Sequence, residues 1–504
     1  MHAMETRSSK TRKLRNPNYS PENYTGDDRI THLPDAILHH ILLLLPIKSI
    51  VQTSIISKRW RTLWYTFPDL DFTTIIPPAT PLTKILHFNN FRNGDVITRI
   101  LSLRNNLSDV RSLRFIACMS FSGLQILIRH AVRLSVQELD IRVETSDTFN
   151  FPRSIITHEC LRVLKMKACP NFRLPPSRIM RSGFQTLQTL SLSYVYLGNQ
   201  SSNLADMFTD CSFPQLKKLH MKSCYNLNYL RVGCRLLEEL ELKKCFSLQG
   251  LEILSPRLVT LKVSSCFNAS NIYKTWVQID TPRLHSLIWV NNSITSNNCV
   301  QNLVYLHDAT VGLLVTQQDL DAEGLLSVSS FVSGLSHAVS LTLDPTFIEI
   351  MSKNNPLVAI FFNLFTKLNS LELQTSEVLC LAGVLKVCPF IHTLIIKITN
   401  SYKRERRRNR LSWDLSRSWE EKYWESQIKD LGPLLHHLKI AKIHGFSEYD
   451  ISVVKFLLQH GKVLQEFILY LGDDCSRGYR QPEKLKSRIM GFTRASVDVK
   501  LAFH

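Results

Sequence analysis

Leu216-Lys-Lys-Leu219-His-Met221, Leu237-Glu-Glu-Leu240-Glu-Leu242 and Leu258-Val-Thr-Leu261-Lys-Val263 are three successive versions of one six-residue pattern. Leucine-like residues occupy the first, fourth and sixth positions of each. The pattern recurs at steps of about 20 to 29 residues, the period of leucine-rich repeats. A fixed period of this length predicts a solenoid in which each coil buries its apolar face against its neighbours.

The same pattern extends in both directions along the chain. It occurs at 110–115, 136–141, 161–166, 187–192 and 284–289, weakens between about 295 and 335, and returns at 339–343, 368–373 and 391–396. The sequence therefore predicts an α/β solenoid of irregular leucine-rich repeats over residues 105–400.

The last three pattern positions alternate like a β-strand, so the residues between the leucines should face the concave surface. These residues are Arg114, Asp140, Lys165, Ser191, His220, Glu241, Lys262 and Ile288. Their mixed chemistry suits a protein surface better than a single anion, and the sequence assigns no individual substrate-binding residue.

A cysteine follows the middle apolar residue by five positions in four of the repeats: Cys169, Cys224, Cys245 and Cys266. One thiol per coil predicts a stacked, buried ladder that fills space and bonds weakly to backbone. Metal ligands are more often paired as C-x-x-C, so we expect no metal site here.

The N-terminal part predicts a separate helical module. After a basic tail at 1–27, which we expect to be disordered, residues 28–72 read as three short helices, with Pro34 suited to a first helical position. Pro46 stops the first helix, and Ser57 can cap the third. So few residues bury a small core, which predicts a helical interaction module.

The sequence of this module resembles a plant F-box. The residues that carry the resemblance are Leu33-Pro34-Asp35, Ile41-Leu42, Leu45-Pro46, Lys48, Val51, Ser54, Ser57-Lys58-Arg59-Trp60, Leu63-Trp64 and Phe67-Pro68. The resemblance implies docking onto a Skp-family adaptor, and through it onto a cullin and a RING protein. It implies adaptor contacts at Leu33, Pro34, Ile37, Leu38, Ile41, Leu45, Pro46, Val51, Ser54 and Trp60. The pattern alone leaves open whether Ile37, Leu38, Ile41 and Leu45 fill the module's own core or the adaptor groove.

The C-terminal part follows a predicted basic and tryptophan-containing loop at 401–427. Its run Lys403-Arg-Glu-Arg-Arg-Arg-Asn-Arg410 is either a solvated loop or a nuclear import signal. Residues 430–504 read as strand, helix and strand, with Gly461 closing the helix. This region resembles the FBD region found behind the repeats of many plant F-box proteins, and we expect it to cap the solenoid.

Several function classes are excluded by pattern. The chain shows no secretory signal, and its most apolar window is well short of the roughly 20 residues that span a bilayer. A formal net charge of +19 is spread along the 504 residues, so nucleic-acid binding is not expected. No phosphate loop, nucleophile elbow or zinc-protease motif occurs. We therefore expect a non-catalytic protein without cofactor, located in the nucleus and/or cytoplasm.

Together these patterns and resemblances predict a plant F-box/leucine-rich repeat protein with a C-terminal FBD-like region. The implied function is substrate recognition in a Skp-cullin-F-box ubiquitin ligase, with an unidentified target protein on the repeats. Two alternatives are a leucine-rich repeat co-receptor for a small molecule and a ligase-independent nuclear scaffold.

Overall fold

The computed structural model describes residues 30, 32–73, 93–102, 104, 109–145, 149–175, 177–181, 183–196, 207–246, 248–268, 275–314, 322–353, 365–375, 378–399, 413–471 and 482–504. The predicted tail at 1–27 and the basic run at 403–410 lie outside this part of the chain. Two compact units divide the protein, Met1–Phe67 and Pro68–His504. Each is described by itself below.

The first unit contains three helices: α1 (Asp35–Leu43), α2 (Ile47–Thr53) and α3 (Lys58–Thr66). Pro34 and Pro46 stand immediately before α1 and α2 as their N-caps. The hydroxyl of Ser57 accepts a hydrogen bond from the backbone N–H of Trp60 at 3.3 Å, which satisfies a donor at the start of α3. The expected three-helix module is therefore confirmed, with Pro34 one position earlier than predicted.

The second unit is built on parallel strands. They are β1 (Asp69–Asp71), β2 (Ser112–Cys118), β3 (Glu138–Glu144), β4 (Phe149–Asn150), β5 (Val163–Arg173), β6 (Thr189–Tyr196), β7 (Phe208–Thr209), β8 (Lys218–Lys222), β9 (Tyr229–Gly233), β10 (Glu239–Lys243), β11 (Gly250–Ile253), β12 (Thr260–Ser264), β13 (Trp276–Asp280), β14 (Ser286–Ser293), β15 (Asn297–Gln301), β16 (Asp308–Leu314), β17 (Ser340–Leu343), β18 (Ser370–Thr375), β19 (Thr393–Ile398), β20 (Ile440–Phe446), β21 (Glu466–Leu471) and β22 (Lys500–Phe503).

Helices connect many of these strands. They are α4 (Asn93–Ser102), α5 (Phe121–Arg133), α6 (Arg153–Ile156), α7 (Ser177–Met180), α8 (Ala322–Ser333), α9 (Pro345–Lys353), α10 (Leu381–Leu385), α11 (Trp413–Ser426), α12 (Ile428–Leu435), α13 (Ile451–His460) and α14 (Pro482–Met490). None of the helices in the described residues is long and apolar enough to cross a membrane.

The long sheet has seventeen strands, which pair in chain order. Each coil contributes one strand, except that the short β4 pairs with β5 beside β3. The middle leucines align across neighbouring strands, as in Leu219, Leu240 and Leu261, and all three are fully buried. Five further strands, β7, β9, β11, β13 and β15, form a second parallel sheet over residues 208–301. The predicted α/β solenoid is confirmed.

The long sheet begins earlier than residue 105, where we placed the first repeat. Strand β1 pairs with β2 so that Leu70 lies opposite Leu113, and Leu70 is buried. The region at 295–335, where the leucine pattern weakens, also supplies a regular coil. Ala309 lies opposite Leu287 on one neighbouring strand and Leu341 on the other, and all three side chains are buried. An alanine at the middle position hid this coil from the leucine pattern.

The C-terminal region continues the same sheet. Strand β20 pairs with β19, and β21 and β22 follow in order, so this region adds coils to the solenoid. Residues 413–426 form helix α11, which corrects our prediction of a loop through 427. Trp424 is buried and its ring lies 5.4 Å from that of Phe456, centroid to centroid, whereas Trp419 is exposed.

Gly461 follows α13 directly, but its φ of −76° is not left-handed. A Cβ there would come within 2.7 Å of the Leu457 carbonyl oxygen. The helix therefore ends at a glycine because of close backbone approach, not because of a positive φ.

Candidate interaction surfaces

One side of α1 is apolar and faces solvent. Pro34, Ile37, Ile41 and Leu45 recur at steps of three and four residues, which places them along one stripe of the helix; all four are exposed. Leu38 and Leu42 lie on the other side and are fully buried. The structure thus separates the residues that the sequence left open: Leu38 belongs to the core, and Ile37, Ile41 and Leu45 to the surface.

The exposed apolar surface is larger than the sequence indicated. Leu44, just after α1, is 77% exposed, and Ile55, in the turn after α2, is 81% exposed. Leu43 and Ile56 are exposed as well. Aliphatic side chains this exposed and this close in the chain mark an interaction surface. Leu44, Ile55 and Ile56 were not among the predicted adaptor contacts, although Leu44 follows Ile41 by three residues and Ile55 follows Val51 by four.

The segment Leu33-Pro34 is fixed by Arg59 on α3. The Arg59 guanidinium donates to the Asp35 carboxylate, with Nε 3.0 Å from Oδ1, and also to the backbone carbonyl of Leu33. Leu33 is half-buried. Arg59 was not among the predicted adaptor contacts, although it is part of the Ser57-Lys58-Arg59-Trp60 segment that resembles an F-box.

The remaining predicted residues play different parts. Trp60 on α3 is buried, and Pro46 is exposed at the start of α2. Val51 and Ser54 are half-buried, and the Ser54 hydroxyl donates to the Val51 carbonyl at 2.5 Å. Ser54 therefore closes α2 with its own side chain.

The solvent-facing side of the long sheet is the second candidate surface. The eight residues predicted between the leucines lie opposite one another in a single row across the strands: Arg114, Asp140, Lys165, Ser191, His220, Glu241, Lys262 and Ile288. Register between coils thus turns residues far apart in sequence into direct neighbours, and we call this side of the sheet the open face.

Glu239 is the main hub of ion pairs on the open face. Its carboxylate lies 3.3 Å from Lys218 Nζ, 3.5 Å from His220 Nε2 and 3.8 Å from Lys262 Nζ. Burial acts to raise the pKa of Glu239, but the hydrogen bond from Lys218 and the positive charge of its neighbours outweigh burial and lower it. Lys218 and Lys262 are therefore committed to a carboxylate within the protein.

The cysteine ladder is buried. Cys224, Cys245 and Cys266 are at most 2% exposed, and the Cys266 thiol donates to the Ser264 carbonyl at 3.4 Å. A hydrogen bond to Cys245 and burial raise the pKa of Cys224, and burial raises that of Cys266. In the described part of the chain, no group of three or more His, Cys, Asp or Glu residues is arranged to hold a metal ion. The side chain of Cys169 lies outside the described residues.

Comparison with known proteins agrees with this architecture. The F-box domain model matches residues 30–71, and the At1g61320/AtMIF1 leucine-rich repeat domain model matches residues 106–317. The F-box/FBD/LRR-repeat protein At4g03220 of Arabidopsis thaliana is 41% identical over 99% of this chain and 100% of its own length. The Arabidopsis F-box/LRR-repeat protein At4g14096 is 24% identical over 73% of each chain.

A three-helix module with an exposed apolar face, followed by a parallel-stranded repeat solenoid, defines the class of F-box/leucine-rich repeat proteins. Within that class, the full-length similarity to At4g03220 shows that this chain belongs to the F-box/FBD/LRR-repeat proteins of plants.

Proposed function

We propose that this chain is the substrate-recognition subunit of a Skp-cullin-F-box ubiquitin ligase. Its first unit docks a Skp-family adaptor, and its repeats hold a target protein. The adaptor brings the cullin and RING subunits, so partners catalyse ubiquitin transfer while this chain supplies proximity. We place the protein in the nucleus and/or cytoplasm, where such ligases work.

The observation that carries the proposal is the exposed aliphatic surface of the first unit. It consists of Ile37, Ile41, Leu44, Leu45, Ile55 and Ile56. Fully burying one such side chain is worth about 1.5 to 3 kcal/mol. An apolar groove on an adaptor would remove several of these side chains from water at once. This free energy of burial is not gained while the side chains remain exposed to solvent.

The repeats support the second half of the proposal by their chemistry. Acidic, basic, hydroxyl and apolar side chains alternate along the row from Arg114 to Ile288. Such a surface offers many separate polar contacts and one apolar contact, at Ile288, which suits the polar rim of a protein interface. The inward leucines meanwhile keep the strands rigid.

The test is adaptor binding by the full-length chain. We would measure the Kd for a recombinant plant Skp adaptor by biolayer interferometry, for wild type, Leu33→Ala/Pro34→Ala and Leu44→Asp/Ile55→Asp. Two buried-interface losses of this kind should weaken binding at least about thirtyfold. Val304→Asp/Val497→Asp is the matched control, because both valines are exposed in the second unit.

The control should bind within about twofold of wild type. Undiminished co-purification of the adaptor with both first-unit variants would refute docking through this surface. Absence of binding by the wild type itself would leave a repeat scaffold without a ligase role.

A further inference from the structure

A second row on the open face contains basic and hydroxyl side chains and no carboxylate. Arg142, Lys167, Ser193, Lys222 and Lys243 lie opposite one another on β3, β5, β6, β8 and β10. We call these five residues the basic row. It lies two residues further along the strands than the row that runs from Arg114 to Ile288, and the leucine pattern gave no reason to single it out.

The protein itself leaves most of this charge unbalanced. Arg142 lies directly opposite Lys167, and Lys222 directly opposite Lys243, and like charges in that position destabilise a sheet. Arg142 has Asp140 at 3.6 Å. Within the described part of the chain, Lys167, Lys222 and Lys243 have no carboxylate within ion-pair distance.

The centre of the basic row can also donate hydrogen bonds. Ser191 and Ser193 are half-buried on β6, between the exposed lysines Lys165 and Lys167 on β5 and Lys222 on β8. Strands two apart are separated by about 10 Å, so short serines leave a trough between longer cationic side chains. An acidic group in this trough would meet hydroxyl donors below and ammonium groups on both sides.

The row from Arg114 to Ile288, which lies beside the basic row, indicates which kind of anionic ligand can bind. It carries Asp140 and Glu241 next to the basic row, and these carboxylates would repel a nucleic-acid backbone, which is charged along its whole length. A peptide in extended conformation presents alternate side chains to opposite sides. It can place its carboxylates over the basic row alone.

The nearby tyrosines do not provide a stacking platform for bases. The Lys167 ammonium lies 5.6 Å from the Tyr194 ring centroid, and the Arg173 guanidinium 5.8 Å from that of Tyr196. These rings already hold cations over their faces. The Tyr194 ring therefore orients Lys167 of the basic row, and neither ring is free to stack on a nucleotide.

We propose that the basic row binds an extended acidic segment of the partner protein. Four steps between strands span about 19 Å, which an extended peptide covers in about six residues. The inference rests on the part of the proposed function that assigns the partner to the repeats, and it does not require adaptor docking. Glutamate and aspartate side chains are the recognised groups.

The experiment is fluorescence anisotropy with the full-length chain and a fluorescein-labelled glutamate decapeptide, with the glutamine decapeptide as the neutral control probe. Lys167→Glu/Lys222→Glu should weaken binding of the glutamate probe at least about tenfold, a loss of about 1.4 kcal/mol. Lys442→Glu/Lys500→Glu changes the net charge equally on β20 and β22 and should stay within about twofold.

Three outcomes would overturn the proposal: no binding of the glutamate probe by wild type, equal losses in both double variants, or tighter binding of oligothymidine with the same lysine dependence. Circular dichroism checks that each variant folds, and Lys167→Gln/Lys222→Gln should show the same direction with a smaller loss. Adaptor Kd, measured in parallel, separates this question from the proposed ligase role, because the variants should leave it unchanged.

Discussion

The side-chain oxygen of Asn292 accepts a hydrogen bond from the backbone N–H of Cys266, one coil away, at 2.8 Å. The same oxygen accepts from the Phe267 N–H, and the Asn292 amide donates to the Val263 carbonyl at 3.0 Å. Asn292 is fully buried at the irregular end of β14. One side chain thus bonds three backbone groups in and just after β12.

We expect Asn292→Ala to lower the free energy of unfolding of the repeat unit by about 3 kcal/mol, because buried backbone groups lose their partners. Asn292→Asp should be similarly harmful, since a carboxylate cannot donate to the Val263 carbonyl. Urea unfolding followed by circular dichroism measures both. Asn297→Ala, at an exposed position of β15, is the control and should change little. Equal stability of Asn292→Ala and wild type would contradict this account.

Arg59 should contribute to adaptor binding as well as to the stability of the first unit. Its ion pair with Asp35 is partly exposed, with 36% and 64% of the two side chains accessible, so its loss costs at most about 1 kcal/mol. We expect Arg59→Ala to weaken adaptor binding about fivefold, because Leu33-Pro34 is no longer held. Arg61→Ala, an exposed neighbour on α3, is the matched control. An unchanged Kd for Arg59→Ala would show that the segment is positioned by other contacts.

Leu38 and Ile37 are adjacent yet should respond in opposite ways. Leu38→Ala removes a fully buried side chain and should destabilise the first unit by about 3 kcal/mol. Ile37→Ala removes an exposed side chain and should change stability by less than about 0.5 kcal/mol while weakening adaptor binding. Hydrogen exchange of the α1 amides reports stability in the full-length chain. Faster exchange in Ile37→Ala than in Leu38→Ala would reverse our assignment.

Asp344 should make the repeat unit more stable in mild acid. Burial raises its pKa from 3.8 to about 6, although its carboxylate accepts the Phe347 N–H at 2.8 Å. A folded-state pKa above the unfolded value means that the native state binds the proton more tightly. Its contribution is therefore present below about pH 4 and is lost as the pH rises through about 6, an effect of about 3 kcal/mol.

Asp344→Asn keeps an oxygen for the Phe347 N–H and has no charge to bury. Relative to wild type, it should gain stability as the pH rises from 4 to 6 and show a constant difference above pH 7. Urea unfolding midpoints at these pH values test the expectation. A stability difference that is independent of pH would show that the Asp344 carboxyl is not the titrating group.

The repeat architecture was accessible from the sequence because its signal is local. Leu219, Leu240 and Leu261 each sit in a six-residue alternating pattern, and burial of alternate side chains is a property of one strand. The leucine pattern missed a coil where a different residue type fills the buried middle position. Ala309 is such a residue, because its small side chain faces inward as a leucine would. The pattern also failed at Leu70, which stands in a strand of only three residues.

The sequence by itself determined that this chain combines a short helical module with a leucine-rich repeat solenoid, because hydrophobic periodicity and helix caps act over a few residues. Only the tertiary structure decided that Leu38 packs inward while Ile37 faces water, that Arg59 holds Leu33, and that Lys167 and Lys222 flank Ser193. These relationships depend on how separate helices pack and on the register between coils. Both are set by contacts between residues that are far apart in the chain.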